Sequence, residues 1–159
     1  MRYRDKVVDA ETLAHRVAPA ARGARRLVFT NGCFDLLHVG HVRSLAEARA
    51  AGDLLVVGVN DDASVRRLKG AGRPLVPGDA RAEVLAALVM VDWVCLFPDD
   101  TPARLIALLQ PDVLVKGGDW AAADVVGREV VEARGGRVLI VPTAEDFSTT
   151  SLVERIRRG

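Results

Sequence analysis

Five short apolar runs, each followed by a stretch with helical spacing, constrain the fold of this 159-residue chain more than any other feature. The runs are almost continuous, which is typical of parallel strands that are covered on both faces. They occupy residues 27–29, 53–60, 91–97, 112–115 and 137–141. Because strands that alternate with helices form parallel sheets with right-handed crossovers, the sequence predicts an α/β fold in three layers.

Helices are predicted between these runs from helical spacing and from capping residues. Asp9 is expected to cap a helix over residues 10–17, and Asp79 to cap another over residues 80–89. Further helices are predicted from about 39 to 50, 61 to 68, 102 to 109, 125 to 134 and 148 to 158. Residues 1–26 are therefore interpreted as an N-terminal helical extension and residues 27–159 as the main domain.

The stretch from Thr30 to His41 lies where the first strand turns into a helix. Gly32 has no Cβ and so permits close approach of the backbone or of a ligand. His38 and His41 are three residues apart and share a face if the helix begins near Val39. Free backbone N–H groups and the positive end of the helix dipole favour phosphate there, so the stretch predicts a polyphosphate site.

Other polar clusters follow the ends of later strands, and in parallel sheets ligands bind outside the carboxyl ends of the strands. These clusters are Asn60-Asp61, Lys116 to Trp120 and Ser148-Thr149-Thr150. Lys69, in a glycine-rich loop, and Arg81, near a helix start, are candidate cations for phosphate. We therefore expect one cleft to collect all of these groups.

The string G-x-F-D-x-x-H-x-G-H, which ends at His41, resembles the signature of the HxGH nucleotidyltransferase superfamily. That resemblance implies a Rossmann-like, cytidylyltransferase-like fold and transfer of a nucleoside monophosphate from a nucleoside triphosphate. It implies a catalytic set of His38, His41, Lys69 and Arg81. It also implies nucleotide-binding residues, namely Asn31, Gly32, Cys33, Phe34, Asp35, Gly40, Lys116, Gly118, Asp119, Ser148, Thr149 and Thr150.

Further segments resemble the D-glycero-D-manno-heptose 1-phosphate adenylyltransferases. They are Ser64 to Gly70, Arg73-Pro74, Asp100 to Pro102, Lys116 to Asp119 and Ser148 to Thr150. The resemblance implies transfer of AMP from ATP to a heptose 1-phosphate, with Lys116, Asp119 and Trp120 binding the acceptor. Many such relatives carry the domain behind a sugar-kinase domain, and we expect that step to belong to another protein here.

Two other functions stay open at this point. A cytidylyltransferase acting on glycerol phosphate or another phospho-alcohol would use a similar signature, and a nucleotide assay separates it from an adenylyltransferase. A catalytically silent nucleotide-binding module is a third possibility. Binding alone would not demand His38, His41, Lys69 and Arg81 together, which argues against that third reading.

The overall charge and the cysteines exclude several classes of partner and site. Lys plus Arg total 22 against 21 Asp plus Glu, a formal net charge of +1, so no global field favours nucleic acid or membrane. Cys33 and Cys95 lie in apolar contexts and are expected to be reduced, as in a cytoplasmic protein. No resident metal site is predicted, and Mg²⁺ is expected to arrive on the triphosphate. A homo-oligomer, a dimer, is expected.

Overall fold

The computed structural model describes residues 2–142 and 148–159, and within them five strands form a single parallel sheet. The strand order is β3-β2-β1-β4-β5, so the chain starts in the middle of the sheet and builds outward to both edges. The strands are β1 (Leu27–Gly32), β2 (Leu54–Asn60), β3 (Trp93–Phe97), β4 (Val113–Gly117) and β5 (Arg137–Val141).

Eight α-helices surround the sheet in the described part of the chain. Their bounds are α1 (Ala10–Val17), α2 (Pro19–Arg22), α3 (Val39–Ala50), α4 (Asp62–Lys69), α5 (Gly78–Ala86), α6 (Ala103–Leu109), α7 (Arg128–Glu132) and α8 (Thr149–Arg158). Two short 3₁₀ turns lie at Tyr3–Lys6 and Ala122–Asp124. None of the helices in residues 2–142 and 148–159 combines the length and apolar composition needed to cross a bilayer.

Burial on both faces of the sheet explains why the apolar runs are nearly continuous. All seven residues of β2 are buried. Val57 and Val59 face one apolar cluster and Val56 faces the other, because neighbouring side chains on a strand point to opposite faces. The prediction of a Rossmann-like, three-layer fold with a five-stranded parallel sheet is thus confirmed.

Several predicted boundaries are wrong, and three of the differences have a clear local reason. β1 continues through the first residues of the motif to Gly32, since its pairing with β2 extends that far. The helix that follows Pro77 begins at Gly78, so Asp79 lies inside its first turn and is not its cap. The helix predicted over 125–134 spans only Arg128–Glu132, because Gly127 before it has a left-handed backbone with φ of 87°.

The segment before β1 packs against the same core. Val7 forms a parallel bridge with Val94, so the edge of β3 is partly covered. Leu13 and Val17 of α1 are completely buried and belong to the cluster that contains Phe29. The helical character predicted for residues 1–26 is present in α1 and α2, while the domain boundary at residue 26 stays a prediction.

Candidate active site

A cavity of about 660 Å³ lies at the carboxyl ends of the central strands and gathers most of the predicted site residues. Six separate segments contribute to its wall, as expected for an open parallel sheet. The predicted residues that line it are Asn31, Gly32, Cys33, Phe34, Asp35, His38, Gly40, His41, Lys69, Lys116, Trp120, Ser148, Thr149 and Thr150.

Three predicted residues are not among those that line this cavity, namely Arg81, Gly118 and Asp119. Gly117 lines it in place of its neighbour Gly118, and the Asp119 side chain is exposed. The roles predicted for these residues stay predictions.

The cavity also contains residues that the sequence reasoning did not assign to the site. Ser44 could have been found from helical spacing, because it lies three residues after His41 on α3 and therefore on the same face. Asp124, Val125 and Val126 also line the wall, and no sequence pattern marked them. Their segment is not a cluster of polar residues directly after a strand, which is the pattern that marked the other parts of the site.

The turn between β1 and α3 is shaped by the contact between Gly32 and Phe34. A Cβ at position 32 would lie 3.1 Å from the Phe34 ring, closer than a side chain can normally sit without a shift. Phe34 itself has a left-handed backbone with φ of 48°, which is uncommon for a residue other than glycine and tends to occur at functional sites. Gly32 therefore leaves room for the aromatic ring that folds back over it.

The two histidines form a stacked pair at the start of α3. His38 is the N-cap residue and His41 lies in the first turn, with ring centroids 3.8 Å apart and planes inclined by 29°. The backbone N–H of His38 donates to Nδ1 of His41 at 3.4 Å. Because Nδ1 accepts, a neutral His41 carries its proton on Nε2, which leaves that N–H as a donor for a ligand in the cavity.

Burial keeps both rings neutral near pH 7. Burial, with a smaller effect from His38, lowers the pKa of His41 to about 4. Burial also lowers the pKa of His38. The pair consequently supplies neutral N–H donors, while positive charge in the cavity must come from other residues.

Asp35 of the motif anchors a neighbouring loop. Its carboxylate is buried and accepts from the backbone N–H groups of Leu75 and Val76 and from the Arg73 guanidinium. Burial alone would raise the pKa of Asp35, but these three donors outweigh burial and the pKa is lowered. The motif aspartate thus stays ionised and holds residues 73–76 against the turn.

Arg81 ties three segments together from inside the protein. Its side chain is 2% exposed, and its guanidinium donates to the carbonyls of Val76 and Cys33 and to the carboxylate of Asp62. The Cys33 carbonyl that accepts from Arg81 belongs to the turn between β1 and α3. In this geometry the guanidinium fixes the shape of the turn, and its donors point at protein acceptors.

Two lysines supply positive charge to the cavity. Lys69 is exposed at the end of α4, next to Gly70, whose φ of 99° ends the helix. Lys116 is half-buried near the carboxyl end of β4, and its Nζ lies 5.1 Å from the centre of the Trp120 ring. Burial lowers the pKa of Lys116. A dianionic ligand would offset the energetic cost of burying this ammonium group, so Lys116 is suited to contact phosphate.

The amino end of α8 forms part of the cavity wall. The Ser148 hydroxyl accepts from the backbone N–H of Ser151, and the Thr149 hydroxyl donates to the carbonyl of Leu36 at 3.4 Å. This contact joins α8 to the motif loop. Ser148, Thr149 and Thr150 line the same cavity as the histidine pair and bring hydroxyl groups and the amino end of a helix to it.

Mg²⁺ prefers oxygen ligands, chiefly carboxylates, phosphates and water. Within residues 2–142 and 148–159 no group of three His, Cys, Asp or Glu side chains is placed to hold a metal ion. The buried carboxylate of Asp35 is already used by its own loop. These residues fit an ion that is held mostly by phosphate oxygens of the substrate and by water.

The family model described as cytidylyltransferase-like matches residues 29–155, which is most of the chain. Every residue that lines the cavity lies within this range. The chain belongs to the cytidylyltransferase-like family. The prediction of an HxGH nucleotidyltransferase from the motif is thereby confirmed.

Curated relatives are similar over almost the whole chain. A protein named "Bifunctional protein HldE" from Geotalea uraniireducens is 58% identical over 97% of this chain and 31% of its own length. The protein of the same name from Rhodopseudomonas palustris is 57% identical over 98% of this chain and 32% of its own length. The chain thus spans about a third of the length of the curated relatives that it matches.

Solved structures share the fold. A lipopolysaccharide core biosynthesis protein from Thermoplasma volcanium is 27% identical, with a TM-score of 0.62 over 76% of this chain and 98% of that one. Pantoate-β-alanine ligase from Francisella tularensis is 12% identical, with a TM-score of 0.61 over 95% of this chain and 76% of that one. The second likeness bears on the fold alone.

Proposed function

We propose that the chain is an adenylyltransferase that moves AMP from ATP to a heptose 1-phosphate, giving ADP-heptose and pyrophosphate. The observation that carries the transferase part is the stacked, neutral histidine pair at the start of α3, which faces a cavity that also contains Lys69 and Lys116. That arrangement supplies N–H donors and positive charge to a polyphosphate without supplying a nucleophile.

The proposed reaction needs no covalent intermediate on the protein. A phosphate oxygen of the acceptor attacks the α-phosphorus of ATP, the bond to the bridging oxygen breaks, and pyrophosphate leaves with the bonding electrons. Mg²⁺ on the triphosphate supplies further neutralisation of charge. The barrier is then lowered by positioning and by donors aimed at the oxygens on which charge develops.

Each group has a place in that scheme. The Nε2–H of His41 donates to an oxygen of the transferring phosphate, and His38 lies beside it. The hydroxyls and amides of Ser148 to Thr150 hold the outer phosphates, which leave together as pyrophosphate. Lys69 closes over them from the glycine loop. Arg81 acts as a positioning residue, because its donors hold the carbonyl of Cys33.

The heptose part rests on two supports. The segment from Lys116 to Asp119 resembles the heptose 1-phosphate adenylyltransferases, and relatives named "Bifunctional protein HldE" are up to 58% identical over most of the chain. In this proposal the Lys116 ammonium meets the acceptor phosphate. Trp120 lines the cavity, and in this proposal it binds the sugar together with its exposed neighbour Asp119, whose carboxylate accepts from sugar hydroxyls.

Lys116→Ala tests the acceptor assignment. Removal of a cation that contacts only the acceptor should raise the KM for heptose 1-phosphate about tenfold or more and leave the KM for ATP within about twofold. Arg104→Gln, on the exposed face of α6, is the matched control and should change neither constant. If the KM for ATP rises and that for the sugar phosphate does not, Lys116 belongs to the nucleotide side.

A further inference from the structure

A second cavity, of about 540 Å³, lies at the amino ends of the strands, whereas the candidate active site lies at their carboxyl ends. It is formed by the amino ends of β1, β4 and β5 together with the turns that precede them. The six residues of β1 span roughly 17 Å between these two ends of the sheet, at about 3.3 Å per residue. Six of the residues that line this cavity carry charge, namely Arg22, Arg25, Arg26, Asp112, Arg134 and Arg137.

This cavity concentrates positive charge that the chain as a whole does not have. Five of its lining residues are arginines and one is an aspartate, so its formal charge is 5 − 1 = +4, against +1 for the entire chain. The arginines come from distant positions in the sequence. Folding therefore brings together like charges that repel one another, at an energetic cost that an anionic ligand would relieve.

The single carboxylate is already engaged. Asp112 forms an ion pair with Arg22, whose guanidinium is almost fully buried, and also accepts from the backbone N–H of Leu27 at 2.7 Å. Across residues 2–142 and 148–159, no carboxylate forms an ion pair with Arg26, Arg134 or Arg137, the exposed arginines at the rim. Their guanidinium groups are open to a ligand in the cavity.

The backbone around the cavity is fixed in a concave shape. A Cβ at Gly136 would lie 2.5 Å from the carbonyl oxygen of Asp112, so only glycine fits there. Gly135 has a left-handed backbone with φ of 80°, and Gly23 on the facing turn has φ of 60°. These turns bring Arg134 and Arg137 to the cavity, and the ion pair of Arg22 with Asp112 also lines it.

We propose that this cavity binds a small, phosphorylated, non-aromatic polyanion. Arginine binds phosphate through two parallel N–H donors, and two phosphoryl groups would balance a charge of about +4. The volume is in the range of small-molecule sites. The lining holds no aromatic side chain on which a base could stack, which disfavours nucleotides and single-stranded nucleic acid. A sugar bisphosphate or inorganic pyrophosphate has the required chemistry.

The test is amide chemical-shift mapping by NMR on the ¹⁵N-labelled chain, titrated separately with hexose 1,6-bisphosphate and with inorganic pyrophosphate. We expect saturable shifts at residues 23–26 and 134–137 that are separate from any shifts at residues 31–41. Pyrophosphate is the proposed reaction product and the bisphosphate resembles the proposed acceptor, so both can also shift residues 31–41. Saturable shifts at residues 23–26 and 134–137 report on the arginine cavity.

A pair of charge-matched variants decides the assignment. Arg134→Gln with Arg137→Gln should weaken binding of the bisphosphate at residues 23–26 at least tenfold, because two of the phosphate contacts are lost. Arg104→Gln with Arg157→Gln removes the same charge from exposed helix positions and should leave the affinity within twofold. Equal weakening by both pairs, or shifts confined to residues 31–41, would overturn the proposal. Because none of these residues lies in the candidate active site, failure here leaves the proposed transferase activity untouched.

Discussion

At the scale of single residues, the stacked histidines of the motif carry the proposed chemistry. His41→Ala removes one preorganised N–H donor, and loss of such a donor typically costs about a hundredfold or more in turnover. We expect that loss with an unchanged melting temperature, measured by pyrophosphate release and by circular dichroism. His15→Ala, at an exposed position on α1, is the control. Turnover of the His41 variant within threefold of the wild type would contradict the assignment.

The lowered pKa of His41 predicts how stability depends on pH. Its folded pKa of about 4 lies below the ordinary value of 6.5, so the neutral ring stabilises the fold above pH 6.5 and that contribution is lost as the pH falls towards 4. Between pH 7.5 and pH 5 the loss should be about 1–2 kcal/mol, after allowance for partial exposure of the ring.

Urea denaturation at the two pH values measures this effect. His41→Gln cannot titrate, so its free energy of unfolding should fall less than that of the wild type between pH 7.5 and pH 5. Parallel losses in both proteins would show that another group is responsible.

Arg81 shows what the sequence could not predict at this scale. Its position at a helix start suggested a cation facing phosphate, yet burial and hydrogen bonding depend on which carbonyls the folded chain brings near it. Arg81→Lys keeps the charge but loses the fork that reaches three acceptors. It should lower the free energy of unfolding by about 2–3 kcal/mol, as is typical when a buried ionic network is broken.

Equilibrium unfolding and turnover of Arg81→Lys separate the two roles. If Arg81 acts by positioning, the variant should be less stable than the wild type. Much of its turnover should then return at saturating ATP and lower temperature, where the folded state is favoured. A variant that is as stable as the wild type and has lost its turnover would instead make Arg81 a group that contacts substrate.

At the scale of secondary-structure elements, sequence patterns predicted strands better than helix ends. Buried parallel strands are nearly continuous apolar runs, and all five strands were predicted in the correct order. Helix starts depend on one or two residues: Pro77 and Gly78 begin α5 where Asp79 offered a more familiar cap. The glycine at 127 likewise shortens α7, since nothing in the sequence reveals whether a glycine adopts a left-handed backbone.

The loop that follows α4 is predicted to close over the triphosphate. Asp35 holds its far end at residues 73–76, while nothing in the described structure lies within 4 Å of a Cβ built at Gly70 or Gly72. Limited trypsin digestion should cut after Lys69 at least fivefold more slowly when MgATP is bound. Cleavage after Arg157, at the end of α8, is the internal control and should not change. Equal rates with and without MgATP would rule out closure.

At the scale of the whole molecule, the carboxyl ends and the amino ends of the parallel strands carry two different proposed sites. The carboxyl edge could be predicted, because motif residues follow strands and therefore converge there. The arginine cavity at the amino edge could not, because its residues are scattered from position 22 to position 137 and their charges cancel in the composition. Only the strand order, with β1 next to β4 and β4 next to β5, brings them together.

The central claim concerns the substrate pair, and its most direct test is a two-by-two set of kcat/KM values. ATP and CTP are each combined with heptose 1-phosphate and with glycerol phosphate. We predict that ATP with heptose 1-phosphate exceeds every other pair by at least about a hundredfold, because polar groups built for sugar hydroxyls are left unpaired by a smaller acceptor. Efficient turnover of CTP with glycerol phosphate, and none of ATP with heptose 1-phosphate, would contradict the account.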